Sequence, residues 1–150
     1  MATHSAIIKA RAEYLATLEP AVSDKITEDM LRAGAVMMND VLGNQNYGNY
    51  VTMFAANTVP DSTEYHLLSD GEKKLLALEE AEAYYLLSIL VVALKEVRDK
   101  TVVEPTIEFG QGRKVSSMFD AQQLAKEYIE KANSIISTIY SPEDVVIVAI

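Results

Sequence analysis

Apolar residues recur at three- and four-residue spacing over four stretches of this chain, and between those stretches the period breaks. Ile8, Ala12, Leu15 and Leu18 predict a first helix from about Thr3 to Leu18, stopped by Pro20. A second opens at Thr27, whose hydroxyl can accept a free first-turn N–H while Glu28 and Asp29 suit the positive end of the helix dipole. Met30, Leu31, Met37, Met38, Val41 and Leu42 form its apolar face, and Gly43 closes it.

From 43 to 63, "GNQNYGNYVTMFAANTVPDST" is rich in Asn, Gly and Tyr and shows no helical period. It predicts a long loop with at most a short helical turn, its Tyr47, Tyr50 and Phe54 either tucked onto the bundle or used for contact. Ser69 and Glu72 then stand at capping-box spacing and start a third helix running to about Asp99. That is about 30 residues, or about 45 Å at 1.5 Å per residue. From Tyr84 to Leu94 it is apolar nearly all round, so neighbours must cover every side, which makes it the central helix.

"KTVVEPTIEFGQGRKVSSM" changes character, with β-branched residues, Pro105, Gly110 and Gly112 predicting an extended arm or hairpin near 101–118. Asp120 with Gln123 repeats the capping-box spacing and opens a fourth helix. Its stripe is Leu124, Tyr128, Ala132, Ile135 and Ile139, Glu127 and Lys131 support it at i,i+4, and Pro142 requires it to end by Ser141. Last comes "SPEDVVIVAI". Its run Val145, Val146, Ile147, Val148, Ala149 and Ile150 favours a strand and carries no charge, so it needs a partner. That partner is either the chain's own core or another protein that accepts an added strand. The expected fold is therefore mainly α: a small helical bundle around one long central helix over 1–141, with the glycine-containing arm, and a tail strand at 142–150.

The length of 150 residues fits one domain. With 13 basic against 22 acidic residues, the net charge of −9 opposes a lasting grip on nucleic acid phosphates. There is no cysteine, hence no disulfide or thiolate site. The opening "MATHSAIIKARAEYLATLEP" has no apolar stretch followed by a small-residue cleavage site, so no secretory leader is expected. "AYYLLSILVVAL", about a dozen residues, is too short for a membrane span of about 20 and predicts a buried helix.

Candidate chemistry is sparse. His4 and His66 have no carboxylate or second histidine at i+3 or i+4 to share a metal, and both are expected to be structural or exposed. Glu79, Glu80 and Glu82 lack the Glu-x-x-His pairs of carboxylate metal sites in helix bundles and are expected to form a solvated face. "GQGR" lacks the Gly-Lys-Ser or Gly-Lys-Thr of a phosphate loop, leaving a hairpin turn or a contact. No catalytic, cofactor-binding or metal-ligating residue is assigned, and a non-enzyme is expected.

The succession "LALEEAEAYYLLSILVVALKEV", "TIEFGQGRKVSS" and "AQQLAKEYIEKANSII" resembles the head–tail connector proteins of tailed bacteriophages, also called adaptor or head-completion proteins, over roughly Thr27 to Ile139. The resemblance implies a small helical bundle with an extended loop or hairpin, assembled as a ring, usually twelve-fold, beneath the portal protein. Such a ring extends the DNA channel at the head–tail junction of the virion, after assembly in the host cytoplasm, and offers a docking surface to a tail or tail-completion protein. Double-stranded DNA passes through it without specific binding, and neither membrane nor cofactor is involved. On this resemblance, Val145 to Ile150 become the portal- or partner-binding segment, released from the bundle at Pro142. Phe109, Gly110, Gly112, Arg113 and Lys114 become the inter-subunit arm, in a ring that needs one face of each subunit to meet a different face of the next. An acidic chain suits a conduit in which the duplex must slide. Two alternatives stand beside it. One is a non-viral α-helical interaction module whose tail strand packs on its own fold; the other is a carboxylate metalloenzyme, which would bind a divalent metal tightly.

Overall fold

The computed structural model of the chain describes residues 3–57, 62–101 and 106–141. In it the apolar stretches become six α-helices: α1 (His4–Ala16), α2 (Pro20–Ser23), α3 (Glu28–Leu42), α4 (Asn44–Ala56), α5 (Asp70–Thr101) and α6 (Met118–Ile139). A short 3-10 turn, Tyr65–Leu67, precedes α5, and a two-stranded hairpin, β1 (Ile107–Gly110) and β2 (Arg113–Val115), lies between α5 and α6. The mainly α bundle around one long helix is the fold that the periodicity predicts. The strand expected at Val145–Ile150 lies outside the described residues.

Local chemistry explains most boundaries. Thr3 Oγ1 accepts from Ala6 N and Thr27 Oγ1 from Met30 N, each at 3.2 Å, so both caps use a threonine hydroxyl. α1 ends at Thr17, whose φ of 47° is left-handed, and Pro20, rather than stopping α1, supplies the first residue of α2. At α5, Ser69 Oγ accepts from Glu72 N at 3.2 Å but donates to Glu72 Oε1 at 2.9 Å, so the predicted box closes side chain to side chain. At α6 the cap is Ser117, not Asp120: Ser117 Oγ accepts from Asp120 N at 3.1 Å, and Asp120 Oδ2 accepts from Ser116 N at 3.2 Å. The box thus sits three residues earlier, with Asp120 playing the acid.

The stretch expected to be a loop is the largest correction. Asn44 to Ala56 is helical, and Tyr47, Tyr50 and Phe54 carry its period on one face. Tyr50 is fully buried. Asn39 Nδ2 donates to Asn44 Oδ1 at 3.1 Å and Asn46 Nδ2 to the Leu42 carbonyl at 3.0 Å, so polar side chains stitch α4 to the end of α3 across Gly43, whose φ is 82°. Packing of a few aromatics outweighs the weak helix propensity of Asn and Gly.

Helix α5 runs 32 residues, about 48 Å at 1.5 Å per residue, and is the axis of the molecule. α6 lies antiparallel to it. Tyr85 Oη donates to Asn133 Oδ1 at 2.7 Å, Tyr84 stacks on Tyr128 at 6.1 Å, and the Lys74 ammonium sits 4.9 Å from the Tyr140 ring. In the α6 stripe Ile136, rather than Ile135, is fully buried. The Glu127 carboxylate turns to Arg113, 2.9 Å away, while Lys131 lies over the rings of Tyr84 and Tyr128.

Two apolar clusters share α5. One joins α1, α5, the hairpin and the first half of α6 through Ile8, Leu87, Leu90, Phe109 and Leu124. The other joins α3, α4, the first half of α5 and the last half of α6 through Met38, Tyr50, Leu78, Tyr85 and Ile136.

Candidate functional site

The hairpin is a folded-back element rather than an outstretched arm. Ile107 faces Val115, Glu108 faces Lys114 and Gly110 faces Arg113, with an irregularity between Glu108 and Gly110. Its two-residue turn holds Gln111 at φ 54° and Gly112 at φ 71°, the paired positive φ that matches the twist of the strands. Ile107, Phe109 and Val115 are buried in the first cluster. Gly110 bridges to Leu18, and a Cβ there would run into the carbonyl oxygens of Ala16 and Thr17. Gln111 Nε2 donates to the Leu15 carbonyl at 3.1 Å. Of the five residues expected to reach another subunit, Phe109 and Gly110 are therefore engaged inside the chain itself. Gly112, Arg113 and Lys114 are exposed, with Arg113 hydrogen-bonded to Glu127.

Below the hairpin lies a cavity of about 960 Å³, lined chiefly by Pro20, Val22, Met30, Ala93, Leu94, Thr106 and the β1 residues Ile107 and Glu108. Its walls are mostly apolar, with Lys25, Glu19 and Glu108 contributing charge. Among the described residues, the side of β1 away from β2 is bridged only where Leu18 meets Gly110. Ile107 and Glu108 of that strand border the cavity.

The opposite end holds a polar network that sequence spacing did not reveal. Glu79 and Glu82, expected on a solvated face, are buried at 4% and 2% exposure. His4 Nε2 donates to Glu82, 3.1 Å from both oxygens, across 78 residues of sequence. The Tyr50 hydroxyl lies 3.4 Å from the same nitrogen. Arg11 Nη2 stands 3.6 Å from Glu79 Oε1. The His4 ring also meets Tyr50 and Phe54 edge-on, at 5.3 and 4.8 Å. Burial first, and then the charge of Glu82, push the Tyr50 and Tyr47 phenols above their usual range, Tyr50 by far the more. Burial also raises Glu80, against the opposing pull of Arg11.

This constellation ties α1 and α4 to α5. Burial beside Glu82 holds Tyr50 neutral at neutral pH, and Glu82 itself is enclosed in the core. His4 Nδ1 and Arg11 Nε are buried without a hydrogen-bond partner among the described residues. A smaller recess of about 290 Å³ opens beside it, lined by His4, Glu28, Asp29, Arg32 and Tyr47. Among the described residues no three His, Asp or Glu side chains are grouped to hold a metal. The one sequence signal for the network was Glu82 standing between Ala81 and Ala83, at the edge of a run that must be covered on all sides.

No family model, no curated protein and no solved structure matches the chain.

Proposed function

We propose that this chain is a subunit of the head–tail connector ring of a tailed bacteriophage, docked under the portal and lining part of the DNA channel. The observation that carries the proposal is the order of elements on which the resemblance rests. A long central helix, α5, is sheathed by α1, α3 and α6, and a glycine hairpin leads into the antiparallel α6. The net charge of −9 supports a conduit that does not hold the duplex. The exposed hairpin tip at Gly112 and Lys114 offers a basic group to a neighbouring acidic subunit, Arg113 being held by Glu127 of the same chain, and the inward-facing Phe109 anchors that tip. No chemistry is required of the buried His4–Glu82–Tyr50 network beyond holding α1 and α4 in place.

Electron microscopy of a portal protein encoded in the same genome, with and without this chain, tests the proposal. A second ring of density below the portal, present only when the chain is added, is the expected result. Portal particles unchanged by the chain would return it to the class of helical interaction modules.

A further inference from the structure

We infer that the cavity beside β1 accepts the segment Val145–Ile150 of a second copy of this chain, which adds as a strand at Ile107 and Glu108, on the edge of β1 that no described residue pairs there. The inference deepens the ring reading by naming the contact between subunits.

Three observations point the same way. First, the cavity combines a strand edge at Ile107 and Glu108 with apolar walls from Val22, Met30 and Leu94. An added strand needs both, since the edge supplies main-chain hydrogen bonds and the walls take alternate side chains. Second, Val145–Ile150 is uncharged, mostly β-branched and free of proline and glycine, which is the composition that pairs with an open edge.

Third, the segment cannot lie in its own chain's cavity. Tyr140 stands level with Lys74, whereas the cavity is walled by Ala93 and Leu94. That is about 19 residues further along α5, or about 29 Å at 1.5 Å per residue. From Ser141, even a fully extended chain carries Val145 only about 14 Å and Ile150 about 32 Å, at about 3.3 to 3.6 Å per residue. Even at full extension only Ala149 and Ile150 would arrive, and the rest of the apolar run would stay behind. A neighbouring copy has no such limit. Because donor and acceptor are different surfaces, the contact is heterologous and repeats from copy to copy, as closure of a ring requires.

The test uses two full-length variants. Ile147→Asp disables the donor and leaves the cavity intact; Ala93→Glu places a charge in the cavity at a half-buried alanine and leaves the donor intact. Circular dichroism checks that both keep the helical content of the parent. Sedimentation velocity is expected to show self-association of the parent and at least tenfold weaker association of each variant alone. An equimolar mixture is expected to recover association between unlike variants, since one productive pairing of segment and cavity remains. A synthetic peptide of residues 141–150 should bind the chain ending at Asp144 but not its Ala93→Glu form.

Unchanged association of both variants would overturn the inference. So would a peptide that does not bind the chain ending at Asp144. Association intact without Ile147, combined with loss of portal docking, would assign the segment to the portal and also overturn it. Tail-dependent association with no portal docking would uphold this inference while sinking the connector reading alone.

Discussion

The two ends of the bundle are built on opposite principles. At the hairpin end, α1 and β1 meet through an apolar cluster and a glycine that admits no side chain, and a cavity stands open beside a strand edge. At the α4 end, the same central helix sinks two carboxylates against a histidine, an arginine and a tyrosine drawn from α1 and α4. Apolar packing is non-directional and leaves a surface that another apolar segment can share. A buried charge network is directional, and one wrong partner leaves a charge unpaired. The hairpin end is therefore suited to receive another chain, and the polar end to fix the helices that present it.

Substitutions should separate the ends. The largest effect is expected from Gly110→Val, which drives a side chain into the Ala16 and Thr17 carbonyls at φ 148°. A loss of about 3 kcal/mol or more in denaturant unfolding is expected, with the hairpin lifted from α1. Glu82→Ala should follow, at about 2 kcal/mol, because it strips the buried acceptor from His4. Glu82→Gln, which keeps an acceptor, should restore part of it. Gly112→Val meets open space and suffers only the left-handed backbone, so about 1–2 kcal/mol is expected, with helix content intact and the exposed tip disturbed.

The smallest effect concerns pH. Burial raises the Glu80 carboxyl, so this group favours the folded state when protonated. Its contribution is complete below the ordinary carboxylate range and is lost as pH rises through the raised value. Glu80→Gln should therefore stabilise the protein at pH 7 and not at pH 4. Half exposure and screening keep the gain below about 1 kcal/mol. Urea midpoints of both proteins at the two pH values measure it, and equal differences at both would contradict the assignment.

Much of this contrast was legible in one dimension at the hairpin end and little of it at the other. Pro105, the glycines and the β-branched residues mark the hairpin because turn chemistry is local. The all-round apolar stretch marks the centre of α5 because burial on every side leaves no polar face. The contact of Phe109 with the core was not legible, since alternation along a four-residue strand does not say what its inner face meets. α4 escaped because its period rests on Tyr47, Tyr50 and Phe54 among weak helix formers, and tertiary packing decides such a segment. The His4–Glu82 pair joins residues 78 apart, beyond any spacing rule. Glu127 likewise met Arg113 across the hairpin rather than Lys131 on its own helix.

Site-resolved hydrogen exchange of the full chain, at a concentration where it associates, tests the division between the two ends most directly. The amides of Ile107 and Glu108 should exchange at least tenfold more slowly than in the chain ending at Asp144, while those of α4, beside the polar network, exchange equally in both. Equal exchange along β1 in the two proteins, or slowed exchange confined to α4, would contradict the account.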